Sequence, residues 1–255
     1  PSKKELREMV KNKELFSQVA QELVDRLIDA VKRKIEMKKK GIRTGFPRFK
    51  SLNMMKSLVY PQFGFSLEQK LKVTPFGEIS IKKHRELKGE IKTLTIKREL
   101  SGKFHAIFSA EEEKTEPKQN HGPAVGIDLG LMNFATLSDK NIIKNPQHLN
   151  KWQDKLAKLQ RKLSKKQKRS KNRAKARIKV ARLHEKIANV RKDFLHKTAN
   201  SLLSNYSLMA LEKLESREMV MQGHGKNIND AAWNMFTHIL CYKAESAGCR
   251  VVFVD

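Results

Sequence analysis

Cysteine is nearly absent from this chain: Cys241 and Cys249 are the only two in 255 residues. Two cysteines cannot build a disulfide framework, and these lack the paired spacing of a zinc site. A reducing intracellular compartment is the expected setting. Long apolar runs are missing as well. No stretch approaches the roughly 18 apolar residues of a membrane-spanning helix, and no signal peptide is visible. Negative charge is scarce: 27 Asp and Glu stand against 54 Lys and Arg, for a formal net charge of +27. Self-repulsion of that size opposes compaction unless a polyanion neutralises it. Nucleic acid is therefore the leading candidate partner. An anionic membrane surface comes second, because the basic stretches carry no broad Trp/Phe face. The chain opens on Pro1 and closes on Asp255 directly after an apolar run, so both ends read as cuts through a longer protein.

The first third divides in two. Leu15, Val19, Leu23, Leu27, Ile28, Val31 and Ile35 recur at spacings of three and four, which predicts a helix over 5–40 with one apolar face. Lysines load its end and Gly41 stops it. Gly45-Phe46-Pro47-Arg48-Phe49-Lys50 must be extended, because Pro47 holds Phe46 out of the helical region. Phe46 and Phe49 could stack on bases beside Arg48 and Lys50, or simply anchor a loop. Residues 57–113 read instead as hairpins: Leu71 and Val73, a turn at Pro75-Phe76-Gly77, then Ile79 and Ile81; and Leu94 and Ile96, a turn at Ser101-Gly102, then Phe104, Ala106 and Phe108. Short strands so spaced suggest a small barrel or sandwich. Lys82, Lys83, His84, Arg85 and Lys88 give it a basic face, and 111–120 is a polar linker.

The stretch Val125-Gly126-Ile127-Asp128-Leu129-Gly130 organises the second half of the chain. It reads as an apolar strand that delivers a carboxylate and then a glycine, and a short meander over 124–143 completes it. Two seams come next: Trp152, Leu156, Leu159 and Leu163, then Ala176, Val180, Leu183, Ile187, Val190 and Phe194. Narrow seams need each other, so an antiparallel helical hairpin is expected over 151–197. Between Lys151 and Lys192 only Asp154 and Glu185 oppose a long series of Lys and Arg. An ordinary solvated hairpin mixes both signs; this one reads as a phosphate-tracking element. Its candidate contacts are Lys165, Lys166, Lys168, Arg169, Lys171, Arg173 and Arg177. The α/β rhythm then returns. A buried strand over 207–212 ends in Glu212, an amphipathic helix spans 230–247, and a second buried strand spans 249–254.

Three antiparallel strands, helices, strand, helix, strand: this order is the connectivity of an RNase H-like fold, so the fold class is mixed, multidomain α/β. In that arrangement the strand bearing Asp128 lies beside the one bearing Glu212. Adjacent carboxylates repel unless a cation sits between them. Mg²⁺ suits such a site, being held by few carboxylates plus water and substrate phosphate. Two such ions can activate water and stabilise the leaving oxygen in phosphodiester cleavage.

On these residues the chain resembles the transposon-encoded TnpB family, RNA-guided DNA nucleases related to the compact type V CRISPR effectors. The motifs are Gly45-Phe46-Pro47-Arg48-Phe49-Lys50, Val125-Gly126-Ile127-Asp128-Leu129-Gly130, Lys192-Asp193-Phe194-Leu195-His196-Lys197, Leu211-Glu212-Lys213-Leu214 and Ile228-Asn229-Asp230-Ala231-Ala232-Trp233. The resemblance implies a partial helical recognition lobe over 1–50. It implies a β-barrel wedge domain with linker over 51–120, and a RuvC-like nuclease domain over 121–255. Asp128 and Glu212 match the family's first two catalytic and metal-binding carboxylates. The resemblance also implies a guide RNA from the transposon end as partner, and target double-stranded DNA cut next to a short flanking motif. The family's N-terminal β segment precedes the position of Pro1. Its zinc ribbon and third catalytic Asp lie past Asp255, so structural Zn²⁺ is expected only there. A cytoplasmic, nucleoid-associated monomer is expected. Three readings compete: an RNA-guided, Mg²⁺-dependent DNA endonuclease, a nuclease-inactive RNA-guided DNA-binding repressor, and a structural nucleic-acid protein such as an RNA chaperone. A compact type V CRISPR effector is a variant of the first. Retention of both carboxylates favours the endonuclease.

Overall fold

In the computed structural model, residues 2–11, 15–48, 54–113, 116–117, 120–213 and 230–254 are described. Phe49, Lys50, Leu214, Ile228, Asn229 and Asp255 lie outside them. The chain divides into two compact units, residues 1–114 and 115–255.

The first unit begins with two helices where one is expected. α1 (Lys3–Met9) starts at a capping box: the Ser2 hydroxyl accepts from the Glu5 amide, and the Glu5 carboxylate accepts from the Ser2 amide. α2 spans Ser17–Lys39. The apolar stripe starts only at Leu15, and it is buried only near its start, at Val19, Ala20 and Val24. Leu27 and Ile35 stay exposed, at 45% and 51%. Six short strands follow in two antiparallel sheets. One is ordered β1-β5-β6 (Ser57–Tyr60, Glu90–Arg98, Phe104–Glu111), the other β2-β3-β4 (Phe65–Leu67, Leu71–Val73, Gly77–Ile79). Val19, Tyr60, Leu71, Val73 and Leu94 form their core. The buried Tyr60 hydroxyl donates to the Thr74 carbonyl at 2.9 Å, so its polar end is satisfied.

The second unit is built on one five-stranded sheet, ordered β11-β10-β7-β8-β9. β7 (Ala124–Leu129), β8 (Asn133–Leu137) and β9 (Ile142–Lys144) form the antiparallel meander. A bulge between Asn133 and Ala135 lets the consecutive Phe134 and Ala135 both be buried. α3 (His148–Ser164) and α4 (Lys171–Asn205) make the helical hairpin. β10 (Leu208–Glu212), α5 (Trp233–Ala247) and β11 (Arg250–Val254) complete the unit, with β10 parallel to both β7 and β11. Gly248, at φ +66°, ends α5 in the left-handed conformation that favours glycine.

The 35-residue helix α4 serves two cores. Near its start Val180, Leu183 and Ile187 meet Trp152, Leu156 and Leu159 of α3. Near its end Leu195, Ala199, Leu202 and Leu203 join Val125, Ile127, Met209, Leu211, Phe236 and Leu240 in the sheet core. The last strand departs from expectation. Its apolar run predicts burial, yet Val252, Phe253 and Val254 are 39%, 48% and 52% exposed, because β11 is an edge strand.

One carboxylate ties the hairpin to the sheet unit. α3 begins at Gln147, in a left-handed conformation without a side-chain cap. Asp230, far along the chain, supplies the missing acceptor. Its Oδ2 accepts from the Leu149 amide at 2.8 Å, and its Oδ1 accepts from Arg191 Nη2 of α4 at 2.7 Å. The side chains of Arg191 and Asp230 are only 20% and 9% exposed. Asp230→Ala would strand a partly buried guanidinium and uncap α3, so a loss of about 3–5 kcal/mol in urea denaturation is expected. Asp230→Asn, which keeps an acceptor, should lose less.

His148, the first residue of α3, sits edge-on to Phe194 with its ring centroid 5.8 Å away, and its buried Nε2 has no partner among the described residues. Burial pulls its pKa below the ordinary histidine value, opposed by the charge of Asp230 and reinforced by Lys151 and Arg191. The unfolded chain therefore takes up a proton near pH 6.5 that the folded chain refuses. Stability should be fully present above that pH and fall as pH drops toward the lower folded value. In His148→Phe this part of the acid sensitivity should vanish in denaturation midpoints measured from pH 7.5 to 5.

Candidate functional site

The strand alternation of β7 sorts its side chains. Val125, Ile127 and Leu129 are buried, whereas Ala124 and Asp128 are exposed. β10 sorts likewise: Met209 and Leu211 are buried and Glu212 is exposed. The two strands run parallel with Met209 beside Val125 and Leu211 beside Ile127. One residue further on, the same register carries Asp128 and Glu212. Both carboxylates thus stand at the C-terminal ends of neighbouring strands, on the sheet face turned away from the core. Asp128 has Thr136 of β8 on its other flank, and Glu212 has Val254 of β11.

The glycine that follows Asp128 serves the chain itself. A Cβ on Gly130 would stand 3.0 Å from the Asn133 carbonyl, and the Gly130 amide donates to the Phe134 carbonyl. Its smallness lets the β7–β8 turn close tightly just past the carboxylate.

Three other acids of this unit have partners of their own. Asp139 accepts a hydrogen bond from the Tyr206 hydroxyl at 2.5 Å, which holds its carboxyl below the usual range and raises the tyrosine. Asp193 pairs with Lys197, and Asp230 with Arg191. Among the described residues Asp128 and Glu212 have no salt-bridge partner, despite the chain's 54 cationic side chains. Also among the described residues, no three His, Cys, Asp or Glu side chains come together. Two hard oxygen donors on an open face fit one Mg²⁺ that completes its shell with water and phosphate.

A cavity of about 540 Å³ opens beside Glu212, with Lys213, Trp233, Asn234, Thr237 and Phe253 in its wall. Sequence reading marks Trp233, on an apolar helix face, and Lys213, within a motif. Asn234 and Thr237 carry no local signal of a site, and Phe253 reads only as part of an apolar strand.

The basic residues cluster at the hairpin tip. Lys165 caps the C-terminus of α3, and Lys166, Lys168, Arg169 and Lys171 are exposed around the turn, with Arg169 at φ +67°. Arg177 is exposed on α4. Arg173 plays a different part: its Nη1 donates to the Leu163 and Lys166 carbonyls at 3.0 and 2.8 Å, closing the end of α3. In the first unit Arg48 is exposed on an irregular segment. Phe46 is 62% exposed rather than buried as an anchor, and Lys34 Nζ lies 4.4 Å from its ring centre. Lys50 and Phe49 are outside the described residues. No helix among the described residues is long and apolar enough to cross a membrane.

Residues 107–222 match the family OrfB_IS605, described as "Probable transposase". The chain is 31% identical over 231 residues to the "Putative RNA-guided DNA endonuclease InsQ" of Escherichia coli (strain K12), covering 83% of this chain and 57% of that protein. It is 35% identical over 219 residues to a "Putative RNA-guided DNA endonuclease" of Streptomyces pristinaespiralis, covering 84% of this chain and 54% of the relative. It therefore spans somewhat over half the length of these curated relatives. Among solved structures, the cryo-EM structure of a Cas12f1–sgRNA–target DNA complex aligns with 93% of this chain and 61% of its own, at 12% identity and a TM-score of 0.49. The chain belongs to the TnpB family of IS605-type transposons.

Proposed function

We propose that this chain forms part of an RNA-guided, Mg²⁺-dependent DNA endonuclease, with residues 121–255 as a RuvC-like, RNase H-like nuclease domain. Residues 51–120 are read as the wedge barrel and 1–50 as part of a recognition lobe. One observation carries the proposal. Asp128 and Glu212 end adjacent parallel strands on one open sheet face, and no basic side chain among the described residues neutralises them. In a chain of net charge +27 that is the place where a metal cation, and not a lysine, is wanted. Both curated relatives carry names of RNA-guided DNA endonucleases, which supports the reaction class.

The chain's own residues then divide the work. Asp128 and Glu212 would hold the metal through hard carboxylate oxygens, and strand pairing fixes their spacing before any ligand arrives. When bound, Mg²⁺ supplies a Lewis acid for the phosphate and a lowered pKa for the attacking water. The exposed hairpin tip, Lys165 to Lys171, attracts the phosphate backbone without reading its sequence. Guide pairing selects the target. Arg48 and the Phe46 ring would add a further phosphate and stacking contact in the first unit.

Two outcomes are expected. Cleavage of target plasmid by the guide-loaded full-length protein should fall about a thousandfold or more in Asp128→Ala, the loss of about 4 kcal/mol of transition-state stabilisation. Filter binding of the same target should stay within about twofold, because the binding contacts lie outside the carboxylate pair. Undiminished cutting by Asp128→Ala would sink the assignment. Separately, neutralising Lys165, Lys166, Lys168 and Arg169 together should flatten the log–log salt dependence of binding by about 0.7–0.9 per lost phosphate contact. An unchanged slope would show that these side chains are merely solvated.

A further inference from the structure

Four rings stand in series at the base of the helical hairpin. His148 lies edge-on to Phe194 of α4. Phe194 is edge-on to Phe134 of β8, and Phe134 to Phe236 of α5, each pair with 5.0 Å between ring centroids. Edge-to-face contacts of this kind add to what burial of the rings contributes. Of the four, His148 alone can take up a proton near neutral pH. The series therefore joins the first residue of α3 to the sheet core through a ring that must stay uncharged to remain there.

The backbone beside it is a hinge held by side chains. Gln147 precedes His148 at φ +46°, a left-handed conformation that a residue with a Cβ keeps only where its surroundings fix it. Three hydrogen bonds do so. The Gln147 amide donates to Asn145 Oδ1 at 3.1 Å, Asn145 Nδ2 donates to the Leu131 carbonyl at 2.8 Å, and the Leu149 amide donates to Asp230. Four charged groups face the His148 ring: Lys151 on α3, Arg191 and Asp193 on α4, and Asp230 ahead of α5. They are two of each sign. Both acids are already engaged, Asp230 by Arg191 and the Leu149 amide, Asp193 by Lys197. Burial therefore decides which form of the ring is docked, and it favours the neutral one.

We propose that the base of the hairpin is a proton-operated latch: a neutral His148 keeps the first turn of α3 docked, and protonation drives the ring out of the aromatic series and releases that turn about Gln147. The released ring titrates as an ordinary histidine, near pH 6.5. The docked ring resists the proton. Each pH unit below that value therefore multiplies the open population about tenfold, until the docked ring itself titrates. Release takes the Leu149 amide from Asp230 and slackens Asn145. Leu131, which Asn145 holds, lies in the β7–β8 turn three residues beyond Asp128, so the latch reaches the turn that closes beside the carboxylate pair. α4 stays in place, because Leu195, Ala199, Leu202 and Leu203 belong to the sheet core. The latch operates whatever the carboxylate pair binds.

Amide hydrogen exchange of the 255-residue chain, resolved residue by residue and divided by the rates of an unstructured chain, tests the latch. The Leu149 amide should be at least about a hundredfold less protected than the Met209 and Leu211 amides of β10, because it opens without unfolding of the unit. Its protection should fall about tenfold from pH 7.5 to 5.5. In His148→Phe, which keeps an aromatic contact and cannot titrate, Leu149 protection should agree within about twofold at the two pH values. His148→Gln is a second variant that cannot titrate, and it should likewise show no pH dependence even where the added bulk of phenylalanine disturbs the packing. Leu149 protection equal to that of β10 would overturn the latch. So would protection that stays constant with pH in the wild type, or a pH dependence that persists in either variant.

Discussion

The parallel pairing of β7 with β10 is the constraint on which the second unit depends. Parallel neighbours cannot be joined by a turn, so the chain must leave the end of β7 and return to the start of β10 from the far side. Everything from Gly130 to Ser207 is that return path. The pairing is also what sets two carboxylates side by side. Their common face follows from strand parity alone, since a one-residue slip would turn Glu212 into the core and bring Leu211 out. The core therefore enforces the register: Val125, Ile127, Met209 and Leu211 are all buried against α4 and α5.

The return path doubles as an arm. Because α4 is continuous from Lys171 to Asn205, the basic turn is carried about 35–40 Å along one rigid helix from Leu195 at the sheet. Three polar fastenings fix that helix. Asp230 holds Arg191 and the start of α3. The Tyr206 hydroxyl holds Asp139 at the turn between β8 and β9. Asn120 donates to the Leu203 and Tyr206 carbonyls where α4 ends. Each joins segments distant in sequence, and each uses a polar group whose burial demands a partner. The arm's direction is thus set by the same contacts that close the sheet's core.

Much of this is legible in the sequence, and for identifiable reasons. β7, β10 and the hairpin declare themselves by alternation and by seams at three and four, because one face of each is buried against the rest of the unit. Asp128 and Glu212 are legible because each ends an apolar strand, and the order of elements makes those strands neighbours. A single helix over 5–40 does not form because the stripe starts only at Leu15; the apolar Leu6, Met9 and Val10 before it belong to a separate short helix and its end. The expected burial of β11 fails because an apolar run does not reveal how many neighbours a strand has. The same ambiguity hides Phe253, which looks like core in sequence and is half exposed at an edge. Asp230 stands out only as part of a motif, since a cap supplied from about eighty residues away leaves no local trace.

The charge distribution explains why the site stays available in so basic a chain. Three carboxylates of this unit each have a nearby donor: Tyr206 for Asp139, Lys197 for Asp193, Arg191 for Asp230. The nearest neighbours of Asp128 and Glu212 on that sheet face are Gly126, Thr136, Ala210, Val252 and Val254, none of them charged, and Arg250, on the same face, sits at the far end of β11 beside Leu208. A lysine placed among them would pair with the two carboxylates and so would occupy the position that the proposed metal ion requires.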